Sequence, residues 1–275
     1  MIGSIIGDIV GSIYEFSNIK TKDFPLFSVS CEYTDDSILT VATADWLLHG
    51  GEVAEYYSRY AAANCHPMGG YGCGFQQWVA RTIAEGDFSP YNSCGNGSAM
   101  RVGPVGWLSS DAPQNDETLI LSKAKESAES THNHPEGIKG AQATALCIYL
   151  ARNGATAAAI GQRIAKDFGY DLSTSIDDLR KRYSWNGLDG KGDGCTCQGS
   201  VPQAIICALN ATDFEDAIRN AISIGGDSDT IGCITGSIAE ALYGVPNDLR
   251  QKAMDYLPAE FKRIIEEFEN KYSHK

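Results

Sequence analysis

The sequence predicts an all-α protein, built as a compact orthogonal bundle of many helices. Apolar residues recur with helical spacing along most of the chain, and the alternation typical of β-strands is nearly absent. Clusters of glycine and proline separate the periodic segments from one another. With 275 residues, 43% of them hydrophobic, the chain can bury a sizeable core, and we assign residues 1–275 to a single domain.

Twelve helices are predicted from this periodicity. Their ranges are 3–16, 36–48, 52–63, 74–85, 97–109, 116–131, 136–152, 155–168, 200–210, 213–223, 229–243 and 259–271. Glycine- and proline-rich segments at 66–74, 93–97, 133–137 and 186–199 lie between them. The last of these segments, NGLDGKGDGCTCQG, is the longest predicted loop.

Composition excludes several classes of function. The net charge is −13 without any extended Lys/Arg cluster, which argues against an extended nucleic-acid surface or a polybasic membrane contact. The nine cysteines form no CxxC pair, so we expect reduced thiols in a cytoplasmic protein rather than a zinc site. Asp8 interrupts the apolar N-terminus, and no apolar run is long enough to span a membrane. We expect the protein to be a monomer. Any anionic ligand would be bound by local groups, namely helix N-termini, a bound cation or a lone arginine.

The first predicted helix carries glycines on one face. Gly3, Gly7, Gly11 and Glu15 are spaced four residues apart, so they lie one above another. Each glycine lowers helix propensity by about 1 kcal/mol, but a row of them lets another helix approach closely. Glu15 prolongs this face, and carboxylates are rarely buried without a partner. Either the helix frays there and Glu15 is solvated, or Glu15 has a functional partner.

Two loop-to-helix junctions each carry one threonine and two aspartates. The segment YTDDS contributes Thr34, Asp35 and Asp36, and the segment GGDSDT contributes Asp227, Asp229 and Thr230. Taken singly, either junction is explained by helix capping, since Asp and Thr oxygens accept backbone N–H groups. If the junctions converge, four carboxylates repel one another unless a cation lies between them. All six donors are oxygens, which favours Mg²⁺, Mn²⁺ or Ca²⁺ and makes a site for two ions plausible.

Two other motifs precede predicted helices. In SCGNGSAMR, the residues Gly95 to Ser98 open an apolar helix, and free N–H groups at such a start bind phosphate oxygens. The alternative is that this glycine-rich segment forms only a turn before the helix and binds no ligand. In STHNHPEG, His132 and His134 precede a helix, and three roles remain open for them: zinc binding, a cap or loop hydrogen bond, and contact with a polar ligand.

The motifs together resemble those of a known family. The segments GDIVGSIYE, YTDDS, GGYGCG, GNGSAMR, THNHP, SVPQAIICAL and SIGGDSDTIGCITGSIAEALYG occur in the order found in the ADP-ribosylglycohydrolases. The resemblance spans roughly residues 1–245. It implies a compact all-α fold with two Mg²⁺ ions, for which Mn²⁺ can substitute. It also implies hydrolysis that releases ADP-ribose from a modified acceptor, such as an ADP-ribosylated protein.

The resemblance assigns roles to residues of this chain. The implied metal ligands are Thr34, Asp35, Asp36, Asp227, Asp229 and Thr230, with Asp229 shared by both ions. The implied acid/base residues are Glu15 and Asp36, and Glu15 is favoured for an O-linked acceptor. The implied substrate-binding residues are Tyr71, Gly72, Asn96, Gly97, Ser98, Met100 and His132. In this interpretation the backbone N–H groups of Asn96, Gly97 and Ser98 hold the diphosphate.

Some alternatives stay open at this stage. The acceptor is an O-linked serine, an N-linked arginine or another group. The alternative to a hydrolase is a catalytically inert relative that binds ADP-ribose or has a structural role. A phosphohydrolase is disfavoured, because its DxDxT motif follows a hydrophobic strand, whereas here the helix-like segment FEDAIRNAIS precedes DSDT.

Overall fold

The computed structural model describes residues 1–109 and 116–272, and its regular elements are helices. The α-helices are α1 (Ile2–Gly11), α2 (Asp35–His49), α3 (Val53–Ala63), α4 (Cys73–Glu85), α5 (Gly97–Met100), α6 (Asp116–Glu129), α7 (Pro135–Arg152), α8 (Ala157–Phe168), α9 (Ile176–Arg182), α10 (Cys197–Leu209), α11 (Phe214–Ile224), α12 (Ser228–Tyr243), α13 (Asn247–Tyr256) and α14 (Ala259–Tyr272). Within these ranges the only β-type pairings are two isolated bridges, Thr34–Met68 and Gly95–Thr196. The predicted all-α class is confirmed. None of the described helices is both long and apolar enough to cross a membrane.

Helices α9 and α13 were missed by the sequence prediction. α9 has seven residues and buries only Leu179 among them, so it carries no apolar stripe. The residues at its two ends favour a helix instead. The Ser175 hydroxyl caps it by accepting the Asp178 N–H at 3.1 Å. Acidic residues lie in the first turn and basic residues in the last turn. Caps and end charges therefore define this helix where periodicity does not.

The predicted helix over 97–109 is wrong as a single element. α5 ends at Met100, and a 3₁₀ helix covers Gly103–Trp107. Pro104 and two glycines favour this break, because proline lacks the N–H that an α-helix needs and glycine has low helix propensity. A Cβ on Gly106 would lie 2.5 Å from the Ile148 Cβ, so this segment packs tightly against α7. The helix predicted over 3–16 is also shorter than expected, since α1 ends at Gly11 and a 3₁₀ turn follows.

The centre of the fold is a backbone-to-backbone contact between α1 and α12. A Cβ on Gly7 would lie 1.9 Å from the Gly232 carbonyl oxygen, and one on Gly236 would lie 2.0 Å from the Gly3 carbonyl oxygen. The close helix approach predicted from the glycine row is confirmed, and its partner is α12. At the end of the row, Gly11 packs on the Asp229 Cα, which a Cβ would approach to 2.5 Å. The first turn of α12 is thereby held against the end of α1.

The turn into α12 depends on two adjacent glycines. Gly225 and Gly226 have φ of 70° and 82°, a conformation that other residues rarely adopt. Asn18 binds both sides of this turn, since its Oδ1 accepts the Gly226 N–H and its Nδ2 donates to the Gly226 carbonyl, each at 2.8 Å. A Cβ on Gly226 would meet the Tyr183 ring at 2.4 Å. Only glycine therefore allows α12 to begin where Asp227 and Asp229 enter the site.

We predict that Gly7→Ala destabilises the protein strongly. Alanine gains about 1 kcal/mol of helix propensity, but its Cβ would meet backbone, and overpacking a core costs about 1–3 kcal/mol or more. The matched control is Gly161→Ala in α8, where the new Cβ would lie 3.5 Å from Leu209 Cδ1, an ordinary contact. Urea unfolding should show a lower midpoint for Gly7→Ala and an equal or higher one for Gly161→Ala. Equal midpoints for both variants would contradict the tight helix contact.

Candidate metal centre and active site

Asp8 organises the first acidic junction from inside α1. Its side chain is fully buried, and its Oδ2 accepts the N–H groups of Thr34 at 2.9 Å and Ser37 at 3.1 Å. Its Oδ1 accepts the Thr34 hydroxyl at 2.7 Å, and the Ser37 hydroxyl also donates to Asp8. Thr34 in turn caps α2 by accepting the Asp36 N–H at 3.2 Å. Capping therefore explains Thr34 but leaves the aspartates free for another role.

The role of Asp8 was missed in the sequence analysis, which treated this residue only as an interruption of an apolar stretch. The available signal was a lone carboxylate within the otherwise apolar and glycine-rich α1. A carboxylate in that position needs buried donors, and the start of α2 supplies them.

The second junction begins α12 and meets the first one directly. Asp227 stands at the N-cap position, yet its side chain makes no capping hydrogen bond. Its Oδ2 instead accepts the Asn96 side-chain amide at 2.8 Å. Thr230 donates its hydroxyl to Asp36 Oδ2 at 3.2 Å, which joins the two junctions. The two motifs, almost two hundred residues apart, thus converge on one site.

Carboxylate oxygens from both junctions and from the first segment of the chain gather into two groups, and within each group they lie within 4.8 Å of one another. They form two groups, Asp8–Asp36–Asp229 and Glu15–Asp227–Asp229. Asp229 belongs to both groups. Asp35 belongs to neither, and it lies half-buried beside them at the cavity wall. Asp8 and Glu15, both from the first segment of the chain, complete the arrangement.

Burial and mutual repulsion raise the pKa values of these acids. The pKa of Asp36 and that of Asp229 lie well above their usual range, because burial disfavours the charged form and the neighbouring carboxylates repel it. Burial likewise raises the pKa of Asp8 to about 6. It raises the pKa of Glu15 to about 7, with added repulsion from Asp227 and Asp8. Without a cation, these groups cannot all be ionised at neutral pH.

The donor set fits a hard divalent cation. Asp36 Oδ1 and Glu15 Oε2 are buried oxygens with no hydrogen-bond partner in the described residues. Neither carboxylate forms an ion pair with a lysine or arginine of that part of the chain. Orphaned oxygens with an all-oxygen donor set match the preference of Mg²⁺, Mn²⁺ or Ca²⁺ rather than of zinc.

All of these acids except Asp8 line a cavity of about 390 Å³, a volume in the range of small-molecule sites. Most residues expected at the site line this cavity: Glu15, Asp35, Asp36, Tyr71, Gly72, Asn96, Gly97, Met100, His132, Asp227, Asp229 and Thr230. Thr34 and Ser98 do not. Thr34 is buried against Asp8, and the Ser98 hydroxyl donates to the Gly137 carbonyl at 2.7 Å.

Two expected ligand contacts change in detail. The Asn96 N–H donates to the Cys195 carbonyl at 3.1 Å, so it is already engaged in this structure, and its contact with a diphosphate stays a prediction. The Asn96 side chain is held by Asp227 instead. Tyr71 turns its hydroxyl away from the cavity to donate to the Asn64 carbonyl at 3.0 Å, so it offers only its ring.

The two histidines have different positions. His134 caps α7, with its Nδ1 accepting the Glu136 N–H at 3.1 Å. His132 is buried and lines the cavity, and burial together with the charge of Arg101 holds its pKa well below the usual range. Among the described residues, neither histidine belongs to a group that could hold a metal ion, and all nine cysteines are free. The structure thus supports a cap for His134 and a cavity position for His132.

An aromatic pair at the cavity mouth was also missed. Phe16 is 74% exposed, and its ring stacks on that of Trp185 with centroids 5.7 Å apart. Both rings line the same cavity as Glu15, and the Trp185 indole N–H donates to the Glu15 carbonyl. No periodic pattern marks either residue, because each lies in a connecting segment.

Known proteins share this sequence and fold. The model of the family described as ADP-ribosylglycohydrolase matches residues 1–274. The ADP-ribosylhydrolase ARH3 of Danio rerio is 25% identical, with 89% of this chain and 82% of that protein covered. The ADP-ribosylarginine hydrolase Tri1 of Pseudomonas putida is 26% identical, with 89% and 70% covered.

A solved structure described as an ADP-ribosylglycohydrolase-related protein complex superposes with a TM-score of 0.67. It covers 93% of both chains at 23% sequence identity, so it supports the fold. The family match extends over nearly the whole chain. The chain therefore belongs to the ADP-ribosylglycohydrolase family and is a glycosidic-bond hydrolase.

Proposed function

We propose that the protein is a Mg²⁺-dependent hydrolase that cleaves the glycosidic bond between ADP-ribose and a modified acceptor, releasing free ADP-ribose. The observation that carries this proposal is the pair of carboxylate groups sharing Asp229 in the wall of a ligand-sized cavity. The relatives named for hydrolysis of ADP-ribose linkages support the choice of substrate. The acceptor would be an ADP-ribosylated protein.

Two Mg²⁺ ions, for which Mn²⁺ can substitute, would bind between the junctions. The proposed ligands are Thr34, Asp35, Asp36, Asp227, Asp229 and Thr230. Asp229 is proposed as the shared ligand because its oxygens belong to both carboxylate groups. Bound ions of this kind neutralise the acids, orient sugar hydroxyls and lower the pKa of a water. Asp8 would act indirectly, since it holds the TDD turn through hydrogen bonds to Thr34 and Ser37.

Glu15 is the residue that we propose as acid and base. Cleavage of the sugar C1 bond develops positive charge on the ring, and the departing acceptor oxygen needs a proton. Glu15 lines the cavity with Asp227 and Asp229, and its buried Oε2 has no hydrogen-bond partner in the described residues, so this oxygen is free to exchange a proton with a ligand. Asp36, with its orphaned Oδ1, is the alternative base.

The acceptor would approach past Phe16 and Trp185. This stacked pair stands at the mouth beside Glu15, and the exposed face of Phe16 offers apolar contact to a polypeptide. An O-linked acceptor such as serine is favoured, because an alkoxide leaving group benefits most from a proton delivered by Glu15. An arginine linkage, named for the Pseudomonas relative, is the competing acceptor.

We predict Mg²⁺-dependent release of ADP-ribose from a serine-linked protein, which a panel of serine-, arginine- and DNA-linked ADP-ribose can measure. Glu15→Gln should lower turnover by about 10²–10⁴-fold, the usual contribution of a positioned acid or base. It should leave binding of free ADP-ribose nearly intact. Glu32→Gln, an exposed glutamate outside the cavity, is the matched control and should behave as wild type.

The panel also tests the alternatives. Unchanged turnover in Glu15→Gln would remove Glu15 from the chemistry. Binding of free ADP-ribose without cleavage of any acceptor would make the protein an inert binder and overturn the proposed function. Cleavage of the arginine linkage alone would overturn the preference for serine.

A second prediction separates metal ligation from helix capping at Asp229. If Asp229 is a ligand, wild-type melting temperature rises with Mg²⁺, by the equivalent of about 2.7 kcal/mol at a hundredfold excess over the dissociation constant. Asp229→Asn should lose most of this gain, yet cost little without metal because it relieves repulsion. The matched control is Asp213→Asn, whose side chain caps α11 by accepting the Asp216 N–H at 2.8 Å. Parallel Mg²⁺ responses in wild type and Asp229→Asn would rule out ligation.

A third prediction concerns pH in the metal-free protein. Unfolded carboxyls titrate near pH 4, whereas Asp8 has a folded pKa of about 6 and Glu15 of about 7. Because these folded values are raised, their contribution to stability is fully present below about pH 4 and is lost as pH rises to about 7. The pKa of Asp229 is raised in the same direction. Asp229→Asn keeps Asp8 and Glu15, so the melting temperature of metal-free wild type relative to this variant reports Asp229, and it should fall as pH rises above about 4.

Saturating Mg²⁺ should abolish that fall, because a bound cation favours the ionised carboxylates. A difference between wild type and variant that stays constant with pH would contradict the buried acid cluster.

A further inference from the structure

Arg101 is a buried cation that forms no ion pair with a carboxylate of the described residues. Its side chain is fully buried directly after α5, and its guanidinium lies 4.0 Å over the Tyr57 ring. The Nη2 group donates to the Ser127 carbonyl at 2.9 Å and to the Thr131 hydroxyl at 2.8 Å. In the described residues Nε and Nη1 have no partner. A buried charge is costly unless it is paired, so this arginine calls for a functional reason.

Arg101 also lines the ligand cavity, on whose wall it is the sole lysine or arginine among the described residues. The remaining charged side chains there are acidic: Glu15, Asp35, Asp36, Asp227 and Asp229. Among the described residues the cavity wall therefore has one cationic side chain, and its charge helps to lower the pKa of His132.

Thr131 connects Arg101 to His132. Its hydroxyl oxygen lies 2.8 Å from Arg101 Nη2 and 2.7 Å from His132 Nδ1, and the residue is fully buried. A guanidinium only donates hydrogen bonds, so the Thr131 oxygen accepts from Arg101 and must send its own proton elsewhere. The ring atom within hydrogen-bond distance of it is His132 Nδ1, which can accept this proton only if it carries none of its own. Nδ1 then carries no proton, and the neutral ring carries its proton on Nε2.

The opposite assignment leaves buried groups unsatisfied. If Nδ1 carried the proton, the Thr131 oxygen would accept from both neighbours, and its own hydrogen would have no acceptor in the described contacts. Leaving a buried donor unpaired costs about 1–3 kcal/mol. The hydrogen-bond chain therefore selects the Nε2–H form of His132.

The Nε2 atom of His132 faces the glycine loop of the cavity. It lies 3.1 Å from where a Cβ would stand on Gly97 and 3.5 Å from the corresponding point on Gly95. Both glycines line the cavity with His132. A hydrogen on Nε2 thus makes His132 a donor beside this loop, whereas a bare Nε2 would present a lone pair to any ligand oxygen.

We propose that Arg101 is a positioning residue which, through Thr131, holds His132 as the neutral Nε2–H tautomer, so that His132 donates a hydrogen bond to a diphosphate oxygen of the ligand beside Gly95 and Gly97. The identity of the ligand rests on the proposed function. The tautomer does not, because it is set by hydrogen bonds of the free protein.

The tautomer can be read directly by NMR. Protein labelled with ¹⁵N-histidine contains five histidines, and the spectrum of His132→Gln identifies the signals of His132. Long-range ¹H–¹⁵N correlations at neutral pH show which ring nitrogen carries the proton. Ligand-free wild type should show Nε2–H for His132. Thr131→Val should mix the tautomers or favour Nδ1–H, and Thr131→Ser should restore Nε2–H.

Three further measurements complete the test. By calorimetry, Thr131→Val should bind ADP-ribose about 10–100-fold more weakly, since hydrogen bonds to charged groups are the strong ones, and Thr131→Ser should bind as wild type. The matched control is Thr144→Val in α7, a buried threonine whose hydroxyl has no partner in the described residues; tautomer and affinity should not change. Arg101→Met, which removes the donor, should mix the tautomers as Thr131→Val does.

The outcomes separate this inference from the proposed function. A wild-type His132 that carries its proton on Nδ1, or on both nitrogens, overturns the inference even where acceptor hydrolysis is observed. Retention of Nε2–H and full affinity in Thr131→Val also overturns it. The wild-type spectrum and Thr131→Val decide even if Arg101→Met fails to fold, and a folded Arg101→Met that keeps Nε2–H overturns the role of Arg101. The wild type could also show the expected tautomer but neither bind ADP-ribose nor cleave any acceptor. That outcome overturns the proposed function and the ligand contact, but it leaves the role of Arg101 and Thr131 in setting the tautomer of His132 intact.

Discussion

The glycine contact between α1 and α12 is the constraint on which the site depends. The two helices meet along their backbones at Gly7 and Gly232, where even a methyl group would collide. Such a contact leaves no side chains to adjust, so it fixes how far each helix extends past the other. That register sets Asp8 and Glu15 of the first segment against Asp229 of α12. A helix pair with larger residues would stand further apart, and the acids would not converge.

This packing brings together buried carboxylates that repel one another. Burial and repulsion raise the pKa of Asp36 and Asp229, so assembling them costs free energy in the metal-free protein. The hydrogen bonds that Asp8 accepts from Thr34 and Ser37 offset part of this cost and hold the first junction in place. A cation would relieve the remainder, which couples the stability of the fold to metal binding. The apolar packing of α1 and α12 therefore supports a site that is unfavourable by itself.

Sequence patterns predict the parts of this arrangement that are local. The helical class, the glycine row and the two acidic junctions all follow from spacing, because one helix face or one turn determines them. The role of Asp8 does not, since nothing near it in the sequence shows that α2 begins opposite. The engagement of the Asn96 N–H by the Cys195 carbonyl depends likewise on a distant loop. The stacking of Phe16 on Trp185 joins two irregular segments and leaves no periodic trace.

The charges of the cavity explain how so acidic a protein would hold an anion. With a net charge of −13, the molecule as a whole repels a diphosphate, so attraction must come from local groups. Arg101 lies against the cavity, and no carboxylate in the part of the chain that the structure describes pairs with it; its burial limits the screening of its charge by solvent. Through Thr131 it would also present a donor at His132 Nε2. The acidic wall would bind cations and sugar hydroxyls, and the side formed by Arg101 and His132 would bind phosphate. A ligand that carries both a ribose and a diphosphate matches this division.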